Sequence, residues 1–385
     1  MPPANSFVRP DDAPEAQPSH PLRALVCSRC RLVQLDTVVD PAGIFSTYAY
    51  FSSASDSWLA HARTFCAAMT KRLGLGRHSL VIEAASNDGY LLRNFVEAGI
   101  PCLGVEPSAN VAEAARQAGV PTEVEFLGRE SARNLIARLG RHADLVVANN
   151  VLAHVPDVND FVAGLALLAG PKGLLSIEAP HLLALVDGVQ FDTIYHEHYS
   201  YWSLLAMERL LERHGLAVTD VLRLPTHGGS LRVLVRAAGA ASGSAVASLR
   251  AEEIRRGLDG DAFYQGFEMR VREVLEGFRE WLASSAAGGR RVAAYGAAAK
   301  GNTFLNAAGV KAGDILAVAD RSPAKQGCLL PGTHIPVVSP EELLALAPDD
   351  ILILPWNIAG EIRTGLRAAG FAGRLLTAVP RMEEQ

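Results

Sequence analysis

Short apolar runs alternate with segments of helical periodicity along most of this chain. From residue 79 onward, each apolar run predicts a buried strand, and each periodic segment between two runs predicts a helix. An order of strand, helix and strand is typical of α/β folds. The predicted strands lie at 80–83, 102–106, 144–150 and 173–180 and, in a second unit, at 291–296, 315–320 and 350–357.

Further elements precede, join and close these two units. The pattern predicts a helix at 57–73 capped by Asp56, helices at 90–98, 110–118, 158–169 and 203–214, a hairpin of strands 217–224 and 230–236, and one long helix or a helical pair over 247–284. The small-residue stretch 237–246 is typical of a linker. We therefore expect an α/β protein with two Rossmann-like units.

The N-terminal region differs from the rest. It begins with a proline-rich segment that predicts irregular structure, and residues 25–35 then predict two short strands around a Cys-x-x-Cys turn formed by Cys27 and Cys30. Such a turn supplies half of the four ligands that a structural zinc site needs. Cys66 and Cys102 are isolated within other predicted elements, so the residues leave zinc open.

Composition narrows the classes of function. The chain has 385 residues, of which 49% are hydrophobic and 20% charged, and its formal net charge is −5. Without a lysine- or arginine-rich run, this charge argues against nucleic-acid or membrane-surface binding. No apolar run reaches the ~18 residues of a membrane span. Five cysteines, an odd number, favour a reduced compartment. We expect a cytoplasmic protein that is a monomer or a weak homodimer.

Polar residues follow the strands of the first unit. The first strand ends in Glu83, the second in Glu106 and the third in Asn149 and Asn150. The turn after the first strand consists of small and polar residues that let the backbone approach a ligand, namely Ala84-Ala85-Ser86-Asn87-Asp88-Gly89. An acidic residue that closes the second strand is placed to bind ribose hydroxyls.

This turn lacks the Gly-x-Gly-x-x-Gly spacing of dinucleotide sites, and a carboxylate beside a phosphate would be unfavourable. A carboxylate there suits a cation instead, which points to S-adenosylmethionine with its ammonium and sulfonium groups. The residues predicted around its methionine end are Glu83, Ala85, Ser86, Asn87 and Gly89, with Glu106 on the ribose and Asn149 or Asn150 on the methionyl backbone or the substrate.

The stretch Tyr195-His196-Glu197-His198-Tyr199 concentrates titratable side chains. Imidazoles, a carboxylate and phenols are the groups that move protons near neutral pH. The alternatives are a solvated loop or a His-x-His zinc site, and zinc would need further ligands that the neighbouring sequence does not supply. His154 follows the third strand on the ligand side of the sheet. We favour proton chemistry.

The second unit carries its own candidate residues. Lys300 and Asn302 lie in a predicted small-residue turn at 297–303, where a lysine can neutralise a phosphate. Asp320 ends the next strand. This unit either binds a nucleotide or is a structural duplicate without a ligand.

Together these motifs resemble the S-adenosylmethionine-dependent C-methyltransferases of antibiotic deoxysugar biosynthesis, which methylate carbon 3 of a nucleotide-activated 4-keto-6-deoxyhexose. The resemblance covers nearly the whole chain. The stretches that carry it are Pro3-Ala4-Asn5-Ser6-Phe7, Cys27-x-x-Cys30, Tyr50-Phe51-Ser52-Ser53, the turn 83–89, Asn150-Val151-Leu152-Ala153-His154, Phe191 to His198, and Ala294-Tyr295-Gly296-Ala297-Ala298-Ala299-Lys300-Gly301-Asn302-Thr303.

The resemblance implies three parts. They are a small zinc-binding-type domain over 1–56, a class I methyltransferase domain over 57–240, and a helical linker with a C-terminal Rossmann-like domain over 241–385 that helps to hold the nucleotide sugar. In the family a first Cys-x-x-Cys pair precedes the Pro-x-Ala-Asn-Ser-Phe motif, whereas two residues precede Pro3-Ala4-Asn5 here. We therefore expect a truncated zinc-knuckle-like piece with two of four ligands, and zinc stays uncertain.

The resemblance also implies site roles. A base near neutral pKa would form an enolate from a dTDP-4-keto-deoxyhexose, and His198 is the candidate. Glu197 would orient an imidazole or contact sugar hydroxyls, and Tyr195 and His154 would donate to the enolate oxygen. The remaining implied residues are a tyrosine at Tyr48 or Tyr50 in the active site, and Lys300, Asn302 and Asp320 on the nucleotide sugar.

Two other functions fit parts of the sequence. An O- or N-methyltransferase of another small metabolite would keep the cofactor motifs but would have less need of the base cluster. A non-catalytic binding protein with a methyltransferase fold is the alternative from a different class.

Overall fold

The structure is a computed structural model that describes residues 1–11, 17–40 and 51–385. Within these ranges the strands form sheets of three, seven and six strands. No helix in the described ranges is long and apolar enough to cross a membrane. The three sheets follow the predicted order of a small N-terminal hairpin and two larger α/β units.

The strands, numbered along the chain, have the following bounds: β1 Ala24–Val26, β2 Val33–Leu35, β3 Val81–Ala84, β4 Cys102–Val105, β5 Thr122–Glu123, β6 Leu145–Asn149, β7 Leu174–Pro180, β8 Ser200–Tyr201, β9 Leu216–Leu224, β10 Ser230–Ala237, β11 Val292–Tyr295, β12 Val318–Ala319, β13 Val337–Val338, β14 Asp350–Ile353, β15 Arg374–Thr377 and β16 Glu383–Glu384.

The α-helices have these bounds: α1 Asp56–Leu73, α2 Arg93–Glu97, α3 Ala109–Gln117, α4 Arg129–Leu139, α5 Val158–Ala169, α6 Leu182–Asp187, α7 Leu204–Arg213, α8 Ser244–Arg255, α9 Phe267–Ala287, α10 Ala299–Ala308, α11 Pro340–Ala345 and α12 Ala359–Ala368.

The central sheet has the strand order β5-β4-β3-β6-β7-β10-β9. It is parallel from β5 to β7, and β10 runs antiparallel to both of its neighbours. Strands β3 and β6 are buried throughout, because helices cover both faces of the sheet, and this explains their continuous apolar sequence. The strand order changes direction between β3 and β6. In sheets of this kind, ligands bind at the carboxyl ends of the two strands where the direction changes.

The C-terminal sheet repeats this plan with the order β13-β12-β11-β14-β15-β16, in which only β16 is antiparallel to its neighbour. The helical segment predicted between the units is a pair, α8 and α9. The predicted class I methyltransferase fold with a second Rossmann-like unit is confirmed.

The third sheet joins the N-terminal hairpin to the titratable stretch. Strands β1 and β2 flank the Cys-x-x-Cys turn, as predicted; they pair antiparallel, and β2 also pairs with β8. Because β8 begins directly after Tyr199, the hairpin fixes the end of the Tyr-His-Glu-His segment against the central domain.

Several local predictions were wrong. Helix α1 is capped by Ser55, whose hydroxyl accepts the Trp58 N–H, and Asp56 is the first helical residue. The helix predicted from residue 90 begins only at Arg93, because the residues before it form the turns that follow β3. Lys300 was predicted to lie in a turn at 297–303, but it lies in the first turn of α10, because that helix already begins at Ala299.

Helix α5 passes close to the start of α4 at Gly164. A Cβ atom at this position would lie 2.6 Å from the carbonyl oxygen of Gly128, and backbone atoms cannot turn aside as a side chain can. We predict that Gly164→Ala destabilises the protein by about 1–3 kcal/mol, measured as a melting temperature lower by roughly 2–10 °C.

The matched control is Gly277→Ala in α9, where nothing lies within 4 Å of an added Cβ atom. Alanine should leave the melting temperature unchanged or raise it there, because it lowers the entropy of the unfolded chain. Equal melting temperatures for the two variants would contradict the described contact between α4 and α5.

Candidate functional site

The turn after β3 has an unusual backbone. Ala85, Asn87 and Gly89 have φ angles of +53°, +50° and +74°, in the left-handed region that non-glycine residues rarely adopt. Strained backbone of this kind concentrates at ligand sites. Gly104 on β4 makes room for the turn, because a Cβ atom there would lie 2.3 Å from the Ser86 hydroxyl.

Two buried carboxylates flank this turn. Glu106 accepts hydrogen bonds from the backbone N–H groups of Asn87 and Ser108, each at 2.9 Å. Glu83 is 1% exposed, and its Oε2 atom has no hydrogen-bond partner in the described ranges. Burial, together with the charge of Glu106, raises the pKa of Glu83 well above its usual value. Burial also raises the pKa of Glu106.

More buried polar atoms face the same edge without a partner among the described residues. They include the Ser86 hydroxyl, Oδ1 of Asn149 and both amide atoms of Asn150. Asn150 also has a φ of +56°. Buried polar groups are nearly always hydrogen-bonded in folded proteins, so this cluster fits a polar ligand. The predicted cofactor residues at the ends of β3, β4 and β6 therefore share one crevice.

The ring of His198 is held at both nitrogens. Its Nδ1 lies 2.9 Å from the carbonyl oxygen of Thr193, and its Nε2 lies 2.9 Å from the hydroxyl of Tyr195. A carbonyl oxygen can only accept, so Nδ1 carries the proton and Nε2 of the neutral ring accepts from Tyr195. Burial, together with the charge of the nearby Lys300 ammonium, lowers the pKa of His198 well below its usual value. His198 is thus a neutral imidazole with its lone pair on Nε2.

His154 lies directly beside this ring. The two imidazoles meet edge to face with centroids 4.7 Å apart. His154 belongs to a short 3₁₀ turn after β6, Leu152–His154, and the Tyr199 N–H donates to the Ala153 carbonyl oxygen next to it. Burial lowers the pKa of His154 to about 4, so its ring is neutral as well.

The carboxylate of Glu197 does not contact the ring of His198, and its two predicted roles, on an imidazole or on sugar hydroxyls, stay predictions. Both nitrogens of that ring are occupied by Thr193 and Tyr195, and the Glu197 carboxylate points elsewhere, to the amide of Asn5 at 2.6 Å. Burial raises the pKa of Glu197 to about 7.

A buried ion-pair network that the sequence did not reveal lies beside this crevice. Glu178 on β7 accepts from Arg232 on β10 and from Asn149, and His61 of α1 lies 2.9 Å from its other oxygen. The registry of β7 with β10 brings Arg232 opposite Glu178. A signal existed in the sequence, since a lone carboxylate in an apolar strand requires a partner.

Aromatic rings cover this network. Trp58 stacks on His61 at 4.9 Å and meets His227 at 5.0 Å. His227 has a φ of +54°, and burial lowers its pKa to about 4. His227 is partly buried, and the charge of the nearby Lys300 ammonium also contributes to its lowered pKa.

The C-terminal unit touches the titratable stretch through Asp192. The indole N–H of Trp356 donates to Asp192 at 2.7 Å, and the ammonium of Lys300 lies over the Trp356 ring at 4.6 Å. Lys300 also donates to the Asn357 side chain. Burial raises the pKa of Asp192 to about 6. Lys300 therefore lies near the catalytic candidates, within the electrostatic reach of His198.

The other predicted residues of the C-terminal unit have protein partners. Asn302 is 2% exposed and donates to the Ala4 carbonyl oxygen. Asp320 lies 3.4 Å from the ammonium of Lys325 and accepts from the backbone of Ser322. Tyr48 and Tyr50 lie outside the described residues.

The candidate zinc ligands remain a pair. Cys27 and Cys30 are unpaired thiols in the turn between β1 and β2, and neighbouring N–H groups and the Cys30 side chain lower the pKa of Cys27. In the part of the chain that the structure describes, no group of three or more potential ligands is present that could hold a metal ion. These thiols alone do not fit the four-ligand site of structural zinc.

Comparison with known proteins finds family matches in successive parts of the chain. Successive parts of the chain match the family descriptions "Putative zinc binding domain" at residues 1–45, "Methyltransferase domain" at 58–221 and "C-methyltransferase C-terminal domain" at 225–380.

Solved structures resemble about half of the chain. The magnesium protoporphyrin IX methyltransferase of Synechocystis PCC 6803 is 20% identical over 47% of this chain and 85% of its own, with a TM-score of 0.37. An S-adenosylmethionine-dependent methyltransferase of Clostridium acetobutylicum is 13% identical over 47% and 91%, also with a TM-score of 0.37.

One curated relative matches over nearly the whole length. The C-methyltransferase NovU of Streptomyces niveus is 38% identical over 363 residues, which are 93% of this chain and 86% of that protein. With the matching family descriptions of both large domains, this similarity shows that the chain belongs to the S-adenosylmethionine-dependent C-methyltransferase family.

Proposed function

We propose that this C-methyltransferase methylates carbon 3 of a dTDP-linked 4-keto-deoxyhexose through an enolate. The observation that carries the proposal is the neutral His198 ring, whose Nδ1 proton is fixed by Thr193 and whose Nε2 faces the Tyr195 hydroxyl. Transfer of a methyl group to carbon needs a base that creates the nucleophile, whereas a ready oxygen or nitrogen nucleophile has less need of one.

The proton chemistry follows from the arrangement of these side chains. A ketone at carbon 4 acidifies the hydrogen on carbon 3, and His198 Nε2 would take that proton. The electron pair of the broken C–H bond would form the enolate and place charge on the carbonyl oxygen. The Tyr195 hydroxyl must turn away from Nε2 for this step, and the enolate oxygen would be its new acceptor. His154, 4.7 Å from the His198 ring, is the second candidate donor.

The methyl donor would lie in the crevice between β3 and β6. S-adenosylmethionine, when bound, supplies an electrophilic methyl group on a sulfonium. Glu83 would face the positively charged methionine end. Glu106 would accept hydrogen bonds from the ribose hydroxyls with the lone pairs that its two backbone hydrogen bonds leave free. The side-chain amide of Asn150 would form its hydrogen bonds with the ligand. Carbon 3 would form its bond to the methyl carbon as the bond from that carbon to sulfur breaks.

The nucleotide would lie toward the C-terminal unit. Lys300 is the candidate for binding the diphosphate, because its ammonium lies beside the catalytic segment. The negative charge of the nearby Asp192 favours the charged form of this lysine. Asn302 is a weaker candidate, because its amide is buried against Ala4. Asp320, which contacts Lys325, lies at the end of the neighbouring strand.

We predict that the affinity for S-adenosylmethionine rises with pH in the acidic and neutral range. Carboxyl groups with raised pKa values are partly protonated there, and a cation binds the ionised form, so binding releases protons. Glu83→Gln should weaken binding by roughly 10–100-fold and flatten this dependence. Isothermal titration calorimetry across pH measures both effects.

The control variant is Glu97→Gln on α2, an exposed glutamate, which should behave as wild type. Glu83→Gln should not lower the melting temperature, because the neutral amide removes charge repulsion with Glu106. Binding by Glu83→Gln at wild-type affinity would exclude Glu83 from the cofactor site.

We predict that His198→Asn lowers kcat by about 10²–10⁴-fold, the usual contribution of a general base. Cofactor affinity should stay within about twofold, since His198 is proposed to act on the sugar. Tyr195→Phe keeps the imidazole and should cost less. Steady-state kinetics with a dTDP-4-keto-2,6-dideoxyhexose measures both, and a smaller loss in His198→Asn than in Tyr195→Phe would reverse the two roles.

The substrate class is tested by incubating the protein with S-adenosylmethionine and this sugar nucleotide, followed by mass spectrometry. We expect a product heavier by one methylene together with S-adenosylhomocysteine. An unchanged sugar with cofactor still bound would reject the proposed acceptor and leave the family membership intact.

A further inference from the structure

The first residues of the chain lie on the C-terminal unit. Val8 exchanges backbone hydrogen bonds with Leu329 in both directions, at 3.1 and 2.7 Å. Phe7 packs beside the core of that unit, with the ammonium of Lys325 5.5 Å from its ring centroid. Ala4 is 3% exposed, and its carbonyl oxygen accepts from Asn302 of α10. We call residues 1–8 the N-terminal strap.

The strap presents one polar side chain to the catalytic segment. The amide nitrogen of Asn5 donates to Oε1 of Glu197 at 2.6 Å, although the two residues are 192 positions apart. Glu197 is 1% exposed and immediately precedes His198. The backbone of Glu197 also takes part in a hydrogen bond with His154, so this residue touches the second candidate donor as well.

We propose that Asn5 is a positioning residue that holds Glu197 ionised and fixes the direction of its carboxylate. An amide donor stabilises a carboxylate oxygen more strongly than the carbonyl oxygen of the protonated acid, so it favours the ionised form. With Oε1 bound to Asn5, the carboxylate keeps Oε2 for a hydroxyl of the sugar, and this last step rests on the proposed function. Through the strap, the C-terminal unit would thereby set the charge of a group next to the base.

Few charged groups share the surroundings of Glu197. Lys325, from the loop after β12, favours the ionised form by its charge, as the Asn5 amide does by its hydrogen bond. Tyr199 is a further titratable neighbour, beside His154 and His198, and burial, followed by the charge of Glu197, raises the pKa of its phenol to about 12, which keeps it neutral. Burial acts in the opposite direction and brings the pKa of Glu197 to about 7. The ionised fraction at neutral pH therefore depends on these two favourable contacts.

Removal of the donor should raise the pKa of Glu197. Because hydrogen bonds to charged groups are strong, we expect the pKa of Glu197 to be higher by about 1 or more in the Asn5→Ala variant. Asn5→Asp has the shape of the native side chain but places a negative charge beside the carboxylate, so its effect should be larger. We therefore expect the pKa of Glu197 to be lowest in the wild type, higher in Asn5→Ala and highest in Asn5→Asp.

The first measurement is a ¹³C NMR titration of protein labelled at the glutamate carboxyl carbons, with Glu197→Gln used to assign the signal. It needs no substrate, so it tests Asn5 even if the keto sugar is not the acceptor. The second is the pH profile of kcat/KM for methyl transfer, whose acidic limb should move to higher pH in the same order. Inactivity of wild type on the keto sugar would count against the proposed function alone.

The control is Gln17→Ala. Gln17 donates to the Ser6 carbonyl oxygen and accepts from the Gly332 N–H, so it fastens the strap without touching Glu197. It should leave the Glu197 pKa unchanged. A Glu197 pKa that is equal in wild type, Asn5→Ala and Asn5→Asp, or that shifts equally in Gln17→Ala, would overturn the assignment and leave Asn5 a packing residue.

Discussion

The site depends on a partly buried imidazole that is kept neutral and in one tautomer. A charged ring would be costly in this environment, because burial and the charge of the nearby Lys300 ammonium lower the pKa of His198. The Thr193 carbonyl fixes the proton on Nδ1, so the lone pair of Nε2 faces the Tyr195 hydroxyl. The same constraint explains why the segment carrying His198 must be held firmly, since a small rotation would lose both contacts.

Each region of the chain contributes to holding that segment. The hairpin pairs through β2 with β8 at its end, the 3₁₀ turn after β6 packs His154 against it, and Trp356 of the C-terminal unit binds Asp192 at its start. These contacts come from the N-terminal hairpin, the central domain and the C-terminal unit, so this segment lies where the three meet. Family membership accounts for the methyl transfer to carbon, and this convergence gives a physical reason why such an enzyme needs domains beyond the methyltransferase sheet.

The sequence predicted the fold well because strands buried on both faces leave continuous apolar runs, as β3 and β6 do. It also predicted that Glu83, Glu106 and Asn150 end neighbouring strands. It could not predict contacts that depend on tertiary registry, such as Arg232 opposite Glu178 or Asn5 on Glu197.

The most direct test of the account is solvent deuterium exchange at carbon 3 of the sugar, followed by NMR in D₂O with S-adenosylhomocysteine in place of the methyl donor. Under these conditions proton abstraction is separated from methyl transfer. The account predicts exchange with wild type and only the uncatalysed rate with His198→Asn. Exchange at the wild-type rate in that variant would contradict the assignment of His198 as the base.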